Sequence, residues 1–540
     1  VRPWAQFLDD TIEAQLRSAP SRAVGLGRHE FDGQLPDWSA QGVSATVRQL
    51  HAQRAAAEAY DPATLDATGR FDREVLLAQL DRMLFELETL RLPATNPHFY
   101  LGALDPEVYL TRPYAPLPVR MRAYIAYLGE IPRAAQQIQA QLELPLPRSF
   151  NALGQRSFRG YASFYRDEAP AVFAAVKDPA LQAQLRAATE PAALAMQALA
   201  SRLEKDAPHS TGNFALGRAR FTQMLWAGER VTMPLEEIEA RGRADLERNL
   251  TALAKACAEF APGASVHECT LRAANHKSPQ GPVKAARELL ASLRQFILDQ
   301  DLLTIPGEEQ AQVDEAPAYQ RWNQAYINIT GPYDRGLPST YYIAPPDPAW
   351  TAAEQREYLL GEGGLLYTTV HEVWPGHFLQ YLHANRSRYV TGRLFESYSY
   401  SEGWAHYSEE LMYEAGLRRG SAEMHIGQLT EALLRNVRLV CAIGLHTQGM
   451  GLEQCEQLFR DKGQVDPANA RQQAERGTFD PGYLVYTMGK LMIRDLRERW
   501  TATRGGRAAW KAFHDQFLSY GTVPIPLVAD DMLKDGNTKP

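Results

Sequence analysis

The sequence has no run of five or six basic residues, and its formal net charge is −7. It therefore lacks the electrostatic footprint of a nucleic-acid binder or of a protein held on an anionic membrane. No apolar stretch reaches the roughly 18 residues that a membrane span needs. The most apolar late stretch, LLRNVRLVCAIGLH, is interrupted by Arg435 and Arg438. Cysteine is scarce, with only Cys257, Cys269, Cys441 and Cys455. None stands in a C-x-x-C pair, which argues against a cysteine-ligated zinc, and four in such a length make no disulfide framework. Buried free thiols are the expectation, with one bridge, Cys257 to Cys269, open to an oxidising compartment. The chain opens on Val1. A secreted or periplasmic location after signal removal fits that start, beside a cytoplasmic one. No Gly/Ser or Pro-rich linker divides the sequence, and no period of 20 to 50 residues repeats. The expectation is a single unit over 1–540 with two lobes, a helical lobe over about 1–215 and a second over about 216–540. Nothing in the sequence sets an oligomeric state.

What is present is mostly helical spacing. The composition, 45% hydrophobic and 22% charged, is that of an ordinary globular chain. Trp4, Phe7, Leu8, Ile12 and Leu16 mark one buried helical face, and residues 70–92, 120–142 and 181–204 repeat the pattern. Another helix should start at Thr232 as cap, with Pro234 in its first turn and Glu236 and Glu237 suiting its dipole. Strand signals are few. The best is QAYINITGPYDRGLPSTYYIAPPDP, residues 324–348, which predicts a small hairpin or edge strand. Its second part, 339–344, is the expected edge to which an extended peptide adds. The glycine-rich GEGGLL at 361–366 lacks G-K-[ST] and predicts a loop rather than a phosphate site.

The stretch TTVHEVWPGHFLQYL, residues 368–382, carries the chemistry. In the zinc-protease word H-E-x-x-H the two histidines lie one helical turn apart and share a face. Here His371 and His377 are six residues apart, with Pro375 and Gly376 between them. On a straight helix the second imidazole would sit roughly 120° away from the first. Proline breaks the backbone ladder and glycine tolerates unusual angles, so these two residues predict a bulge that returns His377 to His371. The plain alternative is a pair of hydrogen-bonded core histidines beside a kink. A catalytic zinc takes three protein ligands and keeps one position open. The third should come from SYSYSEGWAHYSEELMYEAG, residues 397–416, where Ser401 can cap a helix beginning at Glu402. Glu402 is the candidate and His406, one turn on, its rival; Glu409 and Glu410 sit lower on the helix.

The words HEVWPGHFLQ, SEGWAHYSEE, RLVCAIGLHTQGM and YLVYTMGKLMIRDLR resemble a bacterial family catalogued as domain of unknown function 885. Its members are regarded as zinc peptidases of the gluzincin type. The resemblance implies a mostly α fold, with two helical lobes around a deep cleft and a small β element. It implies one zinc per chain held by His371, His377 and Glu402, with Glu372 as general base and short peptides as substrates. A residue such as His446 or Tyr486, both near glycines in words of the family pattern, would then support the oxyanion. The plainer readings are a satisfied polar histidine for His446 and core packing for Tyr486. Lys490 and Arg494 read as a solvated or salt-bridged face. Two rival functions share the centre: a zinc hydrolase of non-peptide amides, and a peptide-binding protein with a structural metal. An intact Glu372 argues against the binder, which has no use for a base.

Overall fold

A computed structural model of the chain describes residues 2–317, 321 and 324–534. It is built almost wholly of helices, with one three-stranded sheet. Two compact units share the chain. The first comprises Val1–Phe214 and Thr330–Leu337, the second Ala215–Ile329 and Pro338–Pro540. In the first unit, the helices Trp4–Ser18, Ala67–Leu84, Leu117–Gln141 and Pro179–Asp206 bury the apolar faces that the spacing predicts. The returning segment 330–337 is fastened there by Asp334, whose carboxylate takes hydrogen bonds from Arg112 (2.8 Å) and His29 (2.9 Å).

The second unit is a helical assembly around six helices: α1 (Leu235–Phe260), α2 (Glu362–Glu372), α3 (His377–Ala384), α4 (Tyr398–Glu414), α5 (Ala422–Thr447) and α6 (Val485–Thr501). Two glycine pairs let backbones meet. A Cβ on Gly403 would lie 2.6 Å from the Gly489 Cα, so α4 and α6 touch main chain to main chain. A Cβ on Gly427 would lie 2.6 Å from the Gly363 Cα, which does the same for α5 and α2. Only residues without a side chain permit such crossings.

A buried ionic knot ties α1, α4 and α6 together. Lys490, fully buried, reaches Asp245 (2.6 Å) and Glu410 (3.0 Å). Arg494 and Arg248 join Glu410 from the half-exposed side, each at 2.9 Å. The expected solvated face is thus half right: the charges are paired, but Lys490 lies in the interior. Buried charges are costly unless they are paired, and here each carboxylate meets at least two cations.

Three local expectations change. The helix expected from Thr232 starts at Leu235, with Pro234 at the cap position. GEGGLL is not a loop; Glu362 opens α2, with Gly361 closing onto Ala273 O, where a Cβ would stand 2.6 Å away, and Gly363 packed against Gly427. Ser397, not Ser401, caps α4, accepting from the Tyr400 amide at 3.2 Å. The buried Glu229 fixes that end by accepting from Ser397, Ser399 and the Tyr398 amide.

The sheet contains β1 (Ala311–Glu315), β2 (Ala325–Asn328) and β3 (Ser339–Ile343). β2 and β3 form the predicted antiparallel hairpin. β3, however, is central, because the short and charged β1 pairs with it in parallel. The expected edge at 339–344 has neighbours on both sides, so no peptide adds to it.

The free thiols are also corrected. Cys257 pairs with Cys269 and Cys441 with Cys455, leaving no free cysteine. The partners are only 12 and 14 residues apart, each across a helix-to-helix turn. Closing a loop of that size stabilises the chain by about 3 kcal/mol in the chain-entropy picture. Among the described residues, no helix is long and apolar enough to cross a membrane.

Candidate metal centre

The helix carrying His371 does not bulge; it stops. α2 ends at Glu372, and α3 begins with His377 itself. Between them the Trp374–Pro375 peptide is cis and Gly376 turns the chain back. The Gly376 amide donates to Val370 O at 3.0 Å. A Cβ there would stand 1.8 Å from His371 O, so no other residue fits. Trp404 on α4 pins the break by donating from Nε1 to Pro375 O at 2.8 Å. A complete break rather than a bulge follows because proline cannot supply the ladder amide and the glycine closes onto the preceding turn.

The break brings the two imidazoles together edge to face, their ring centroids 4.8 Å apart. Glu402 on α4 completes the group. Its Oε2 lies 3.4 Å from Nε2 of His371 and 3.4 Å from Nε2 of His377. Among the described residues, these three form the one cluster of histidine, cysteine and acidic side chains close enough to share an ion.

The residues fit zinc. With zinc–nitrogen bonds near 2.0–2.1 Å, ligand atoms around a tetrahedral zinc stand about 3.3 Å apart, close to the 3.4 Å of Glu402 Oε2 from both nitrogens. That oxygen is buried and holds no hydrogen bond. Each imidazole is also held by its other nitrogen. His371 Nδ1 donates to Glu409 Oε1 at 2.7 Å, and His377 Nδ1 faces Ser401 Oγ at 3.4 Å. Both Nε2 atoms therefore point at one spot, the tautomer a metal requires.

Charge follows the same layout. Burial alone would lower the His371 pKa, but the carboxylates of Glu402 and Glu409 outweigh it and raise it to about 9. Glu402 is held well below the usual carboxylate range, the two histidines overcoming the cost of burial. A metal that binds here must displace protons, so its affinity rises with pH. Glu372, the last residue of α2, makes no hydrogen bond or ion pair among the described residues, and burial raises its pKa. A raised pKa and a free carboxylate suit a proton acceptor.

Tyr486, on α6, lies beside the cluster. Its ring stacks on that of His371 at 6.4 Å, and burial followed by the charge of Glu402 raises its pKa. His446 is bonded away from the three residues of the cluster. Its Nε2 meets Gly477 O at 2.7 Å and its Nδ1 accepts from the Leu216 amide at 3.3 Å. Burial lowers its pKa to about 4, so it is a neutral histidine bonded to backbone. His406, the rival ligand, is fully buried and turned to Glu409, its Nδ1 3.2 Å from Oε2.

Glu409 is the residue that sequence reasoning passed over. It is fully buried, accepts from His371 and His406, and lies 3.5 Å from Arg435. The signal was its place seven residues after Glu402, two helical turns along the same face.

The chain belongs to the family described as "Bacterial protein of unknown function (DUF885)", whose pattern matches residues 20–532. Among solved structures it is similar to "a putative lipoprotein of unknown function" from Shewanella oneidensis, with a TM-score of 0.81 and 22% identity over 99% of this chain and 100% of that one. It is likewise similar to a "putative lipoprotein" from Colwellia psychrerythraea, with a TM-score of 0.82 and 18% identity over 99% of each chain. At such identities the likeness establishes the fold alone. No curated protein matches the sequence.

Proposed function

We propose that this family member is a zinc-dependent peptidase that hydrolyses short peptides at the His371–His377–Glu402 cluster. The observation that carries the reading is the 3.4 Å placement of Glu402 Oε2 against both Nε2 atoms, beside an unbonded Glu372. A bound zinc would supply Lewis acidity at the scissile carbonyl and lower the pKa of the attacking water. Glu372 takes the proton of that water and delivers it to the leaving amine. Tyr486 donates its phenolic hydrogen to the oxygen that gains charge. Glu409 and Ser401 hold the imidazoles in the working tautomer.

A peptide-binding protein with a structural metal would have no use for Glu372, which supports hydrolysis over binding. Two short-loop disulfides support an oxidising compartment, and likeness to proteins described as lipoproteins supports a secreted or periplasmic place.

The test is metal analysis of the purified chain together with mass spectrometry of a mixed peptide pool. One zinc per chain is expected, with cleavage that a chelator abolishes and zinc restores. His371→Ala and Glu402→Ala should lose the metal while His406→Ala keeps it. A chain that binds zinc and leaves the pool intact, yet cleaves acylated amines, moves the assignment to non-peptide amides.

A further inference from the structure

Beyond the metal cluster, the second unit holds a cation that its surroundings do not neutralise. Arg438, on α5, is 7% exposed. Its Nε donates to Gln473 Oε1 at 2.9 Å, and among the described residues its terminal amino groups donate no hydrogen bond and meet no carboxylate. Two other guanidiniums lie close by, and both are paired. Arg435 bonds to Glu431 and lies 3.5 Å from Glu409. Arg476 reaches Asp480 at 2.9 Å and Tyr398 Oη at 3.0 Å. Arg438 has instead the ring faces of Tyr486, at 4.9 Å, and Tyr483, at 5.9 Å. Ring quadrupoles offset part of the desolvation cost of a cation but do not cancel its charge. A buried charge without a partner is costly, and a fold keeps one where an anion arrives to pair with it.

The position says which anion. Tyr486 touches both Arg438 and the cluster, its ring lying under the guanidinium at 4.9 Å and stacked with His371 at 6.4 Å. An extended peptide advances about 3.3–3.6 Å per residue. A chain whose scissile carbonyl lies at the cluster thus passes this guanidinium within a very few residues. The planar fork matches a carboxylate bidentately.

We propose that Arg438 is the receptor for a carboxylate carried by the substrate, close beyond the bond that is cut. This rests on the peptidase reading for the identity of the substrate. A carboxylate so near the reacting bond is either the C-terminus of the peptide, which makes the protein a carboxy-end exopeptidase, or an Asp or Glu side chain. Arg438 is on this account a specificity-determining residue.

The test measures binding, so it stands whether or not the chain cleaves peptides. Calorimetry is run on the full chain carrying Glu372→Gln with three probes: N-acetyl-trialanine, its C-terminal amide, and that amide with Glu as the last residue. The free acid is expected to bind at least about tenfold more tightly than the amide, the scale of one charge-assisted pair. Adding Arg438→Met should bring the two within about twofold, and Arg438→Lys should retain part of the preference. If the Glu-bearing amide, rather than the acid, gains the affinity and loses it with Arg438→Met, the carboxylate is a side chain and the receptor stands. Equal binding of all three probes overturns the proposal, as does a preference that survives Arg438→Met. The thermal midpoint of Arg438→Met without probe should not fall, because an unpaired buried cation is removed. A variant that loses its fold makes Arg438 a structural residue and overturns the proposal too.

Discussion

His371 Nδ1 donates to Glu409 Oε1 at 2.7 Å, joining the last turn of one helix to the middle of another. The same carboxylate holds His406 and faces Arg435, so one buried acid sets the orientation of an imidazole of the candidate cluster. Glu409→Gln should leave the fold intact and weaken zinc binding by about 10- to 100-fold, the usual cost of losing such an outer partner. Competition against a chromogenic chelator measures this. Unchanged affinity would mean that α2 and α4 orient His371 without help.

Glu372 is expected to be a base and not a ligand. It follows His371 directly, projects from another side of α2, and stands apart from the cluster distances. Glu372→Gln should keep one zinc per chain while turnover drops at least about a hundredfold. Near-normal turnover in that variant would falsify the role.

Tyr486 and His446 now separate. Tyr486→Phe should retain zinc and lose about a hundred- to a thousandfold in turnover, the scale of one oxyanion donor. His446→Gln should cleave peptides at close to the parental rate, since the histidine is occupied with Gly477 and Leu216. Equal rates for Tyr486→Phe and the parent protein would hand the oxyanion to backbone amides or to another side chain.

Acid should destabilise the chain through buried neutral histidines. Burial lowers His446 to about 4 and His514 to about 3. In the unfolded chain both titrate near 6.5, so only the unfolded state takes up their protons as pH falls below that value. Stability is therefore complete above about 6.5 and declines toward the folded values, by up to about 1.4 kcal/mol per pH unit for each histidine. Thermal midpoints from pH 7.5 to 5 should fall, and His446→Gln should flatten the slope. A slope identical in the variant would show that His446 takes no part.

The sequence by itself determined what depends on local rules. Helical periodicity placed Trp4–Ser18 and its fellows, because a buried face repeats every three to four residues. A proline and a glycine between His371 and His377 announced a deformed helix, because each breaks a specific backbone rule. The hairpin at 325–343 was legible from its two β-rich runs around a turn. The single acid four residues before a histidine, Glu402, was legible as a candidate, though not as the residue the fold would select.

The tertiary structure decided whatever depends on what lies opposite. That GEGGLL is helix and not loop is seen only in the fold, where Gly427 and Ala273 stand against it. That β3 is central follows from β1, whose charged sequence carries little strand signal. That four scarce cysteines are paired follows from turns that bring each couple within reach. Glu409 looked like one more acid on a helix until His371, thirty-eight residues earlier in the chain, was set against it. Arg438 looked like an interruption of an apolar run, and only its lack of a carboxylate, visible once Arg435 and Arg476 are seen to have theirs, distinguishes it. Spacing reports which side a residue faces on its own element. Its partners come from other elements, and these are set by packing of the whole unit.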